Sequence, residues 1–460
     1  MAFPFITERP IIGRPTATGT SFGMVTDPAH ATAVGFRIHT TQDGGGAEDI
    51  SDAVVSSGGT VQERLVAVTT GLAPDTLYSA QVEYEEVAGS GTWVESTFDP
   101  VTFWVFPESS GTAEIVITSD PHVNWPSYEG FDTDRELRYL NTLRLLRESG
   151  KAHLWVRGGD EHVAAFESTA NATEWGIDWR NTYHETIGSL ISLDVLGNHE
   201  NRDGSGDAND LLHNVEMLTF RLNQNTDVTE KTGTVVVGPV TYYYTEPYTG
   251  SGLPIFTPTS STAGGSLGAT RLGQLTDVIN AWSTPWLVVD IHNWPVLTPY
   301  QRVGGQKITN TGSDGETIHA ALVASLTDNV NAVGIVCRRG HDHVFEHSVI
   351  DRINYIAVGT AAQPLGFGVN GSSLFNAGYW ADTVGTWATG VKSFSHDLGY
   401  ARLSLSPTQG WLRLIQTGTD GVSITNSIAL HSWFVREPYV AGNSPPPVLS
   451  QGSGFAGRTT

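Results

Sequence analysis

Glu114-Ile115-Val116-Ile117-Thr118-Ser119-Asp120-Pro121-His122 is a short apolar strand that runs directly into an aspartate and a histidine. The same arrangement recurs along the chain. His153-Leu154-Trp155-Val156-Arg157 leads into Gly159-Asp160-Glu161, and Ile191-Ser192-Leu193-Asp194-Val195 leads into Gly197-Asn198-His199-Glu200. Trp286-Leu287-Val288-Val289-Asp290-Ile291 delivers His292, and the run Val333 to Val336 precedes Gly340-His341-Asp342-His343. Each block follows a β-like run, so the five gather at the carboxyl edge of a sheet, where open α/β sheets place their sites.

Helical segments alternate with these strands. Thr133 with Glu136 forms a capping box, which satisfies free N–H groups at a helix start. Tyr139, Leu143 and Leu146 then fall at i, i+4 and i+7 on one face, and Gly150 stops the helix. Residues 201–270 are poor in periodic signal and read as an insertion, with Tyr242-Tyr243-Tyr244 as a landmark and regularity returning at Leu272-Gly273-Gln274-Leu275. A second, Gly-rich insertion covers about 361–396. Strands return at Tyr400 to Leu405 and Trp411 to Ile415, and residues 437–460, with Pro445-Pro446-Pro447, read as a loose tail.

The segment before this region is different. Val34, Phe36 and Ile38 alternate with other residues, as do Tyr78, Ala80, Val82 and Tyr84, and then Val101, Phe103 and Val105. A period of two marks half-buried strands, so residues 1–107 read as an all-β unit, with Pro107 to Gly111 as linker. The strand-and-helix region then spans 112–436.

Composition limits the partners. The 460 residues carry 48 acids against 25 bases, a formal net charge of −23. Long nucleic acids and anionic membranes need a basic footprint, which this balance lacks. A small, highly charged substrate is compatible with it, because bound metal ions would reverse the sign of the field locally. Cys337, the single cysteine, lies in an apolar run and reads as an inert core thiol. No signal peptide and no membrane-spanning apolar run is visible, so the sequence reads as soluble and cytoplasmic by default, with an extracellular or virion-associated address as the alternative.

Imidazole nitrogens with carboxylate and amide oxygens, and no thiolate, favour Mn, Fe, Zn or Co over Ca or Mg. One carboxylate shared by two ions would hold them ~3.5–4 Å apart, the spacing for clamping both oxygens of an in-line displacement. In order, the blocks read D-x-H, G-D-x-x, G-N-H-[DE], H and G-H-x-H. This resembles the calcineurin-like metallophosphoesterase superfamily across roughly residues 112–435. The resemblance implies an α/β (α+β) metallophosphatase fold, a two-sheet β-sandwich flanked by helices. It also implies two divalent or trivalent transition-metal ions (Mn, Fe or Zn). Asp120, His122 and His343 would hold the first, Asn198, His292 and His341 the second, and Asp160 would bridge them. His199 resembles the family's non-ligand histidine, which stabilises phosphoryl charge or protonates the leaving group. His162, two residues past the bridge, is placed to touch substrate.

The stretch Leu72-Ala73-Pro74-Asp75-Thr76-Leu77-Tyr78 resembles the fibronectin type III pattern, in which the tyrosine bonds back to the preceding loop. A fibronectin-like unit before the catalytic region, together with Glu200, is similar to the plan of purple acid phosphatases. Those carry a Tyr iron ligand where this chain has Val163, and a Gly where it has His122, so no tyrosinate charge-transfer band is expected. The implied reaction is hydrolysis of phosphomonoesters or phosphodiesters, with acidified water attacking in line and His199 assisting. A nuclease or nucleotide phosphodiesterase of the same superfamily is a further reading. The reading from another class is a structural or adhesive protein, for example virion-associated through the β-domain, that keeps the fold.

Overall fold

The computed structural model describes residues 11–26, 35–46, 48–52, 54–58, 63–85, 87, 89–96, 99–123, 133–148, 150–161, 190–195, 197, 232–245, 268–292, 313–340, 345–358, 391–395, 399–416 and 426–428. The N-terminal unit holds β1 (Ile11–Thr16), β2 (Gly19–Thr26), β3 (Phe36–Gln42), β4 (Glu48–Asp52), β5 (Val54–Gly58), β6 (Glu63–Thr69), β7 (Leu77–Glu85), β8 (Trp93–Glu95) and β9 (Val101–Trp104). They form one sheet of order β1-β2-β6-β5 and a second of order β4-β3-β7-β8, with β9 paired to β7. Side chains of β3 and β7 alternate as the period of two predicts, burying Phe36, Ile38, Tyr78, Ala80 and Val82. The Ala73 N–H donates to the Tyr78 hydroxyl at 3.0 Å, the corner hydrogen bond expected from the sequence.

The second region contains β10 (Ala113–Thr118), β11 (Leu154–Arg157), β12 (Ser192–Asp194), β13 (Thr232–Val237), β14 (Val240–Thr245), β15 (Trp286–Ile291), β16 (Gly334–Arg339), β17 (Phe345–Ile350), β18 (Ile353–Val358), β19 (Val391–Ser395), β20 (Gly399–Leu405), β21 (Gly410–Gln416) and β22 (Asn426–Ile428). Its described helices are α1 (Thr133–Glu148), α2 (Gly268–Ala281) and α3 (Ser313–Asp328). One sheet has the order β12-β11-β10-β20-β21-β22, the other β13-β14-β15-β16-β18-β17-β19.

Alternation along the central strands assigns the layers. Ile115, Ile117, Leu154 and Val156 of the first sheet meet Tyr242, Trp286, Val288 and Val336 of the second in one inner core. The opposite faces carry the helices: Tyr139, Leu143 and Leu146 of α1 pack on Val116 and Trp155, while Leu275, Ile279, Ile318 and Leu322 of α2 and α3 pack on Leu287, Val289 and Ile335. The result is a two-sheet sandwich flanked by helices, as expected. Gly150, at φ +99°, ends the first helix in a conformation that favours glycine. The capping contact expected of Thr133 involves a side chain outside the described residues.

The structure corrects the reading of the two insertions. Residues 232–245, inside the first, form β13 and β14, and β14 pairs in parallel with β15. β14 is buried along its whole length, so it has no polar face and no alternation to read. Residues 391–395, inside the second, pair with β17 as β19. The tail from 437 lies outside the described residues.

The two regions share a boundary rather than a loose joint. Their apolar cores form one continuous cluster, and Pro107 is buried against the turn between β13 and β14. Across this boundary His153, fully buried, uses both ring nitrogens. Nδ1 accepts from the Glu114 N–H at 3.0 Å, so Nε2 must carry the proton that it donates to Asp75 at 2.7 Å. Lys151 also pairs with Asp75 and lies over the Trp104 ring.

Burial, outweighing Asp75, lowers the His153 pKa to about 4. A buried neutral base is protonated more readily in the unfolded chain, so its contribution is present above the unfolded value of 6.5 and lost as pH falls towards 4. The shift corresponds to about 3 kcal/mol. His153→Gln, whose amide offers one acceptor and one donor, is expected to remove that slope. Urea unfolding of both proteins between these pH values checks it, and parallel curves would contradict the assignment.

Candidate metal centre

The candidate residues meet where strands of both sheets end. β10, β11 and β12 run parallel in the first sheet, with Thr118 beside Arg157 and Arg157 beside Asp194. The ladder then continues between the loops: Asp120 N–H donates to Gly159 O at 2.9 Å, and His122 N–H to Asp160 O at 3.1 Å. Asp120, His122 and Asp160 all take left-handed backbone conformations, at φ +54°, +50° and +56°. Such positions cost of order 1 kcal/mol or more each, and cluster at functional sites because the surrounding structure holds them there.

β15 supplies His292 from the opposite sheet. Its Nε2 lies 3.1 Å from Asp160 Oδ2 and 3.8 Å from Asp120 Oδ1. His122 Nε2 lies 3.5 Å from Asp160 Oδ2 and 3.9 Å from Asp120 Oδ1. Asp160 Oδ2 therefore sits between the two imidazoles. The ligand atoms of Asp120, Asp160 and His292 all lie within 4.8 Å of one another, and all three residues are buried.

These residues fit a metal ion. Donors around one ion at ~2.0–2.2 Å lie roughly 3–3.4 Å apart, close to the shorter separations seen here. The imidazole of His292 is also correctly set. Its Nδ1 is 2.7 Å from the Gly158 carbonyl, which can only accept, so Nδ1 carries a proton and, in the neutral ring, Nε2 presents its lone pair to the carboxylates. Ser119 donates to Asp120 Oδ2 at 2.6 Å, and Tyr139 of α1 donates to Glu161 at 3.1 Å.

The glycines of the blocks are required by this packing. A Cβ on Gly197 would lie 2.1 Å from Asp160 Oδ1. A Cβ on Gly340 would lie 2.6 Å from Asp120 Oδ2 and 2.7 Å from His292 Nδ1. Gly159, at φ +94°, would place its Cβ 2.8 Å from the same nitrogen. Of the predicted site residues, the structure brings together Asp120, His122, Asp160 and His292. His162, Asn198, His199, His341 and His343 lie outside the described residues, as does Val163, but their chain neighbours Glu161, Gly197 and Gly340 are described. Cys337 is buried, and burial raises its thiol pKa well above the usual range, in keeping with an inert core role.

Two buried carboxylates in one site call for positive charge. Burial alone would lower the pKa of His292, but Asp160 and Asp120 outweigh it and push it up to about 10. The same carboxylates raise His122 against the same penalty. A ring pKa raised above its unfolded value of 6.5 adds stability that is full below that value and is lost as pH rises through 10. An incoming metal ion must displace that proton. Metal affinity is therefore expected to rise about tenfold per pH unit for each proton displaced across this window. Calorimetry in buffers of different ionisation enthalpy counts the released protons, and a pH-independent affinity would contradict the assignment.

Sequence reading missed Gly158, Asp290, Arg338 and Tyr242 beneath these residues. The available signal was charge inside two buried strands: Asp290 in β15, and Arg338 with Arg339 at the end of β16.

Solved structures share this chain arrangement. The purple acid phosphatase PPD1 isolated from yellow lupin (Lupinus luteus) seeds matches with a TM-score of 0.62, over 91% of this chain and 73% of its own, at 13% identity. PhoD matches with a TM-score of 0.61, over 94% of this chain and 89% of its own, at 11% identity. The chain thus has the α/β metallophosphatase fold, with its β-sandwich character, that these proteins share. No protein-family model matches the sequence, and no curated protein does.

Proposed function

We propose that this chain is a metal-dependent phosphoesterase with a dinuclear centre, hydrolysing phosphomonoesters or phosphodiesters. The observation that carries the reading is the cluster of Asp120, His122, Asp160 and His292, contributed by loops of both sheets, with Asp120, His122 and Asp160 held in strained backbone conformations. An inert scaffold would have no use for that strain. The fold shared with a purple acid phosphatase and PhoD supports the same reaction class.

Asp120 and His122, with His343, would hold one ion, and His292, with Asn198 and His341, the other. Asp160, whose Oδ2 faces both imidazoles, would be the ligand the two share. Transition-metal ions bound there would supply acidity to a water nucleophile and positive charge against the phosphoryl oxygens. His292 keeps its Nδ1 proton on Gly158, so its Nε2 stays a donor of electrons throughout. His199 assists departure of the alcohol, help typically worth ~10²–10⁴-fold. His162 contacts substrate, and the fibronectin-like β-domain with the remainder of the two insertions determines which ester is accepted. Val163 stands where purple acid phosphatases carry their tyrosine, so the iron-loaded protein is colourless in the tyrosinate charge-transfer region.

A chromogenic panel of phosphate monoesters and diesters, assayed with Mn, Zn and Fe, tests the proposal. His199→Ala and Asn198→Ala are expected to lower the rate while leaving the fold intact. Parent-like rates in both would remove them from the site, and no hydrolysis of any ester by the parent would remove the function.

A further inference from the structure

Beneath the metal centre lies a charged pair that no ligand assignment uses. Asp290 of β15 and Arg338 of β16 are cross-strand neighbours in register, and both are fully buried on the face that looks into the sandwich. Arg338 Nη1 donates to Asp290 Oδ1 at 2.9 Å and to the Gly158 carbonyl at 2.9 Å, while Nη2 donates to the Val358 carbonyl at 3.1 Å. Tyr242 of β14 donates to the other oxygen of Asp290 at 2.5 Å.

The Gly158 carbonyl is the same oxygen that accepts from His292 Nδ1. Gly158 belongs to the loop after β11, in the opposite sheet, and is followed by Gly159. Two successive glycines leave the backbone with wide conformational freedom and no side chain to anchor the peptide. The Gly158 N–H donates to Thr118 O at 2.7 Å and Ser119 Oγ lies 3.0 Å from the Gly158 carbonyl, and the guanidinium adds the anchor from the opposite sheet: it lies so close that a Cβ on Gly158 would sit 1.9 Å from Nη2. Its planar fork holds one carbonyl from each sheet and one carboxylate at once, which a lysine could not reproduce.

We propose that Arg338, held by Asp290 and Tyr242, is a positioning residue for the metal centre. It fixes the Gly158 carbonyl, and through that carbonyl the ring of His292 and the start of the loop bearing Asp160. The inference rests on the reading that His292 and Asp160 hold metal. A hydrogen bond from a ligating histidine to a fixed carbonyl sets ring orientation, and loss of such a partner typically costs ~10–100-fold in metal affinity.

The test separates positioning from mere structural support. Replacing a buried ion pair by apolar residues of similar volume often leaves stability unchanged or improved. The double variant Asp290→Leu with Arg338→Met is therefore made in the full chain, stripped of metal, and titrated with Zn²⁺ by calorimetry alongside its melting midpoint. The expected result is a melting midpoint near the parent's and Zn²⁺ binding ~10–100-fold weaker. Parent-like affinity in a folded double variant overturns the inference. If that variant does not fold, Tyr242→Phe, which removes one hydroxyl, carries the test: several-fold weaker binding supports the inference and unchanged binding overturns it. A parent protein that takes up no Zn²⁺, Mn²⁺ or Fe would instead contradict the underlying metal reading.

Discussion

Asp160→Asn is expected to lose metal and to hydrolyse phosphate esters roughly a thousandfold more slowly than the parent. The carboxylate is buried, and one of its oxygens lies 3.1 Å from His292 Nε2 and 3.5 Å from His122 Nε2. The amide keeps the shape but removes the negative charge that the centre offers to cations. Lewis-acid stabilisation by a bound ion is worth several kcal/mol, and each ~1.4 kcal/mol is tenfold in rate, which sets the size of the effect. The fold itself should survive, because the substitution leaves no cavity. Metal content and hydrolysis rate, measured with a circular-dichroism control, check the expectation. A folded variant with the parent's metal content and rate would remove Asp160 from the centre.

Gly158→Ala is expected to destabilise the protein by about 3–5 kcal/mol, the range for disrupting a buried ion pair. Nothing in the backbone conformation forbids alanine there; the conflict is steric. The added Cβ would sit 1.9 Å from Arg338 Nη2 and 2.2 Å from its Cζ. The guanidinium cannot withdraw without breaking its bonds to Asp290 and Val358 and leaving a buried carboxylate unpaired. Urea denaturation of the metal-free protein reads the effect directly. A loss below about 1 kcal/mol, the size of an ordinary substitution, would show that the guanidinium is not held as described.

Much of this was legible in the sequence because the chemistry sits at the ends of short apolar strands. β10, β11 and β15 carry Asp120, Asp160 and His292 where their apolar runs stop, and Tyr139, Leu143 and Leu146 mark the helix that covers the first sheet. Tyr78 was readable from its corner pattern for the same reason: a local hydrogen bond leaves a local signature. β14 was hidden by burial on both faces, which erases alternation and leaves three tyrosines that read as landmarks of an insertion. α3 was missed although Ile318, Leu322 and Leu326 follow an i, i+4, i+8 stripe, because small and polar residues fill the turns between them. The supporting residues could not have been inferred from spacing. Asp290 and Arg338 meet only because β15 and β16 pair in one register, and Gly158 reaches them only because two separate sheets face each other. Chain order carries neither fact.

Asp120, His122, Asp160 and His292 are proposed to hold metal ions that serve phosphoester hydrolysis. Anomalous diffraction from crystals grown with Mn or Zn, collected on either side of the metal absorption edge, tests this assignment most directly. Two anomalous peaks ~3.5–4 Å apart are expected, both within bonding distance of Asp160 and one of them within bonding distance of His292. Metal-loaded crystals with no peak at Asp160 and His292 would contradict it.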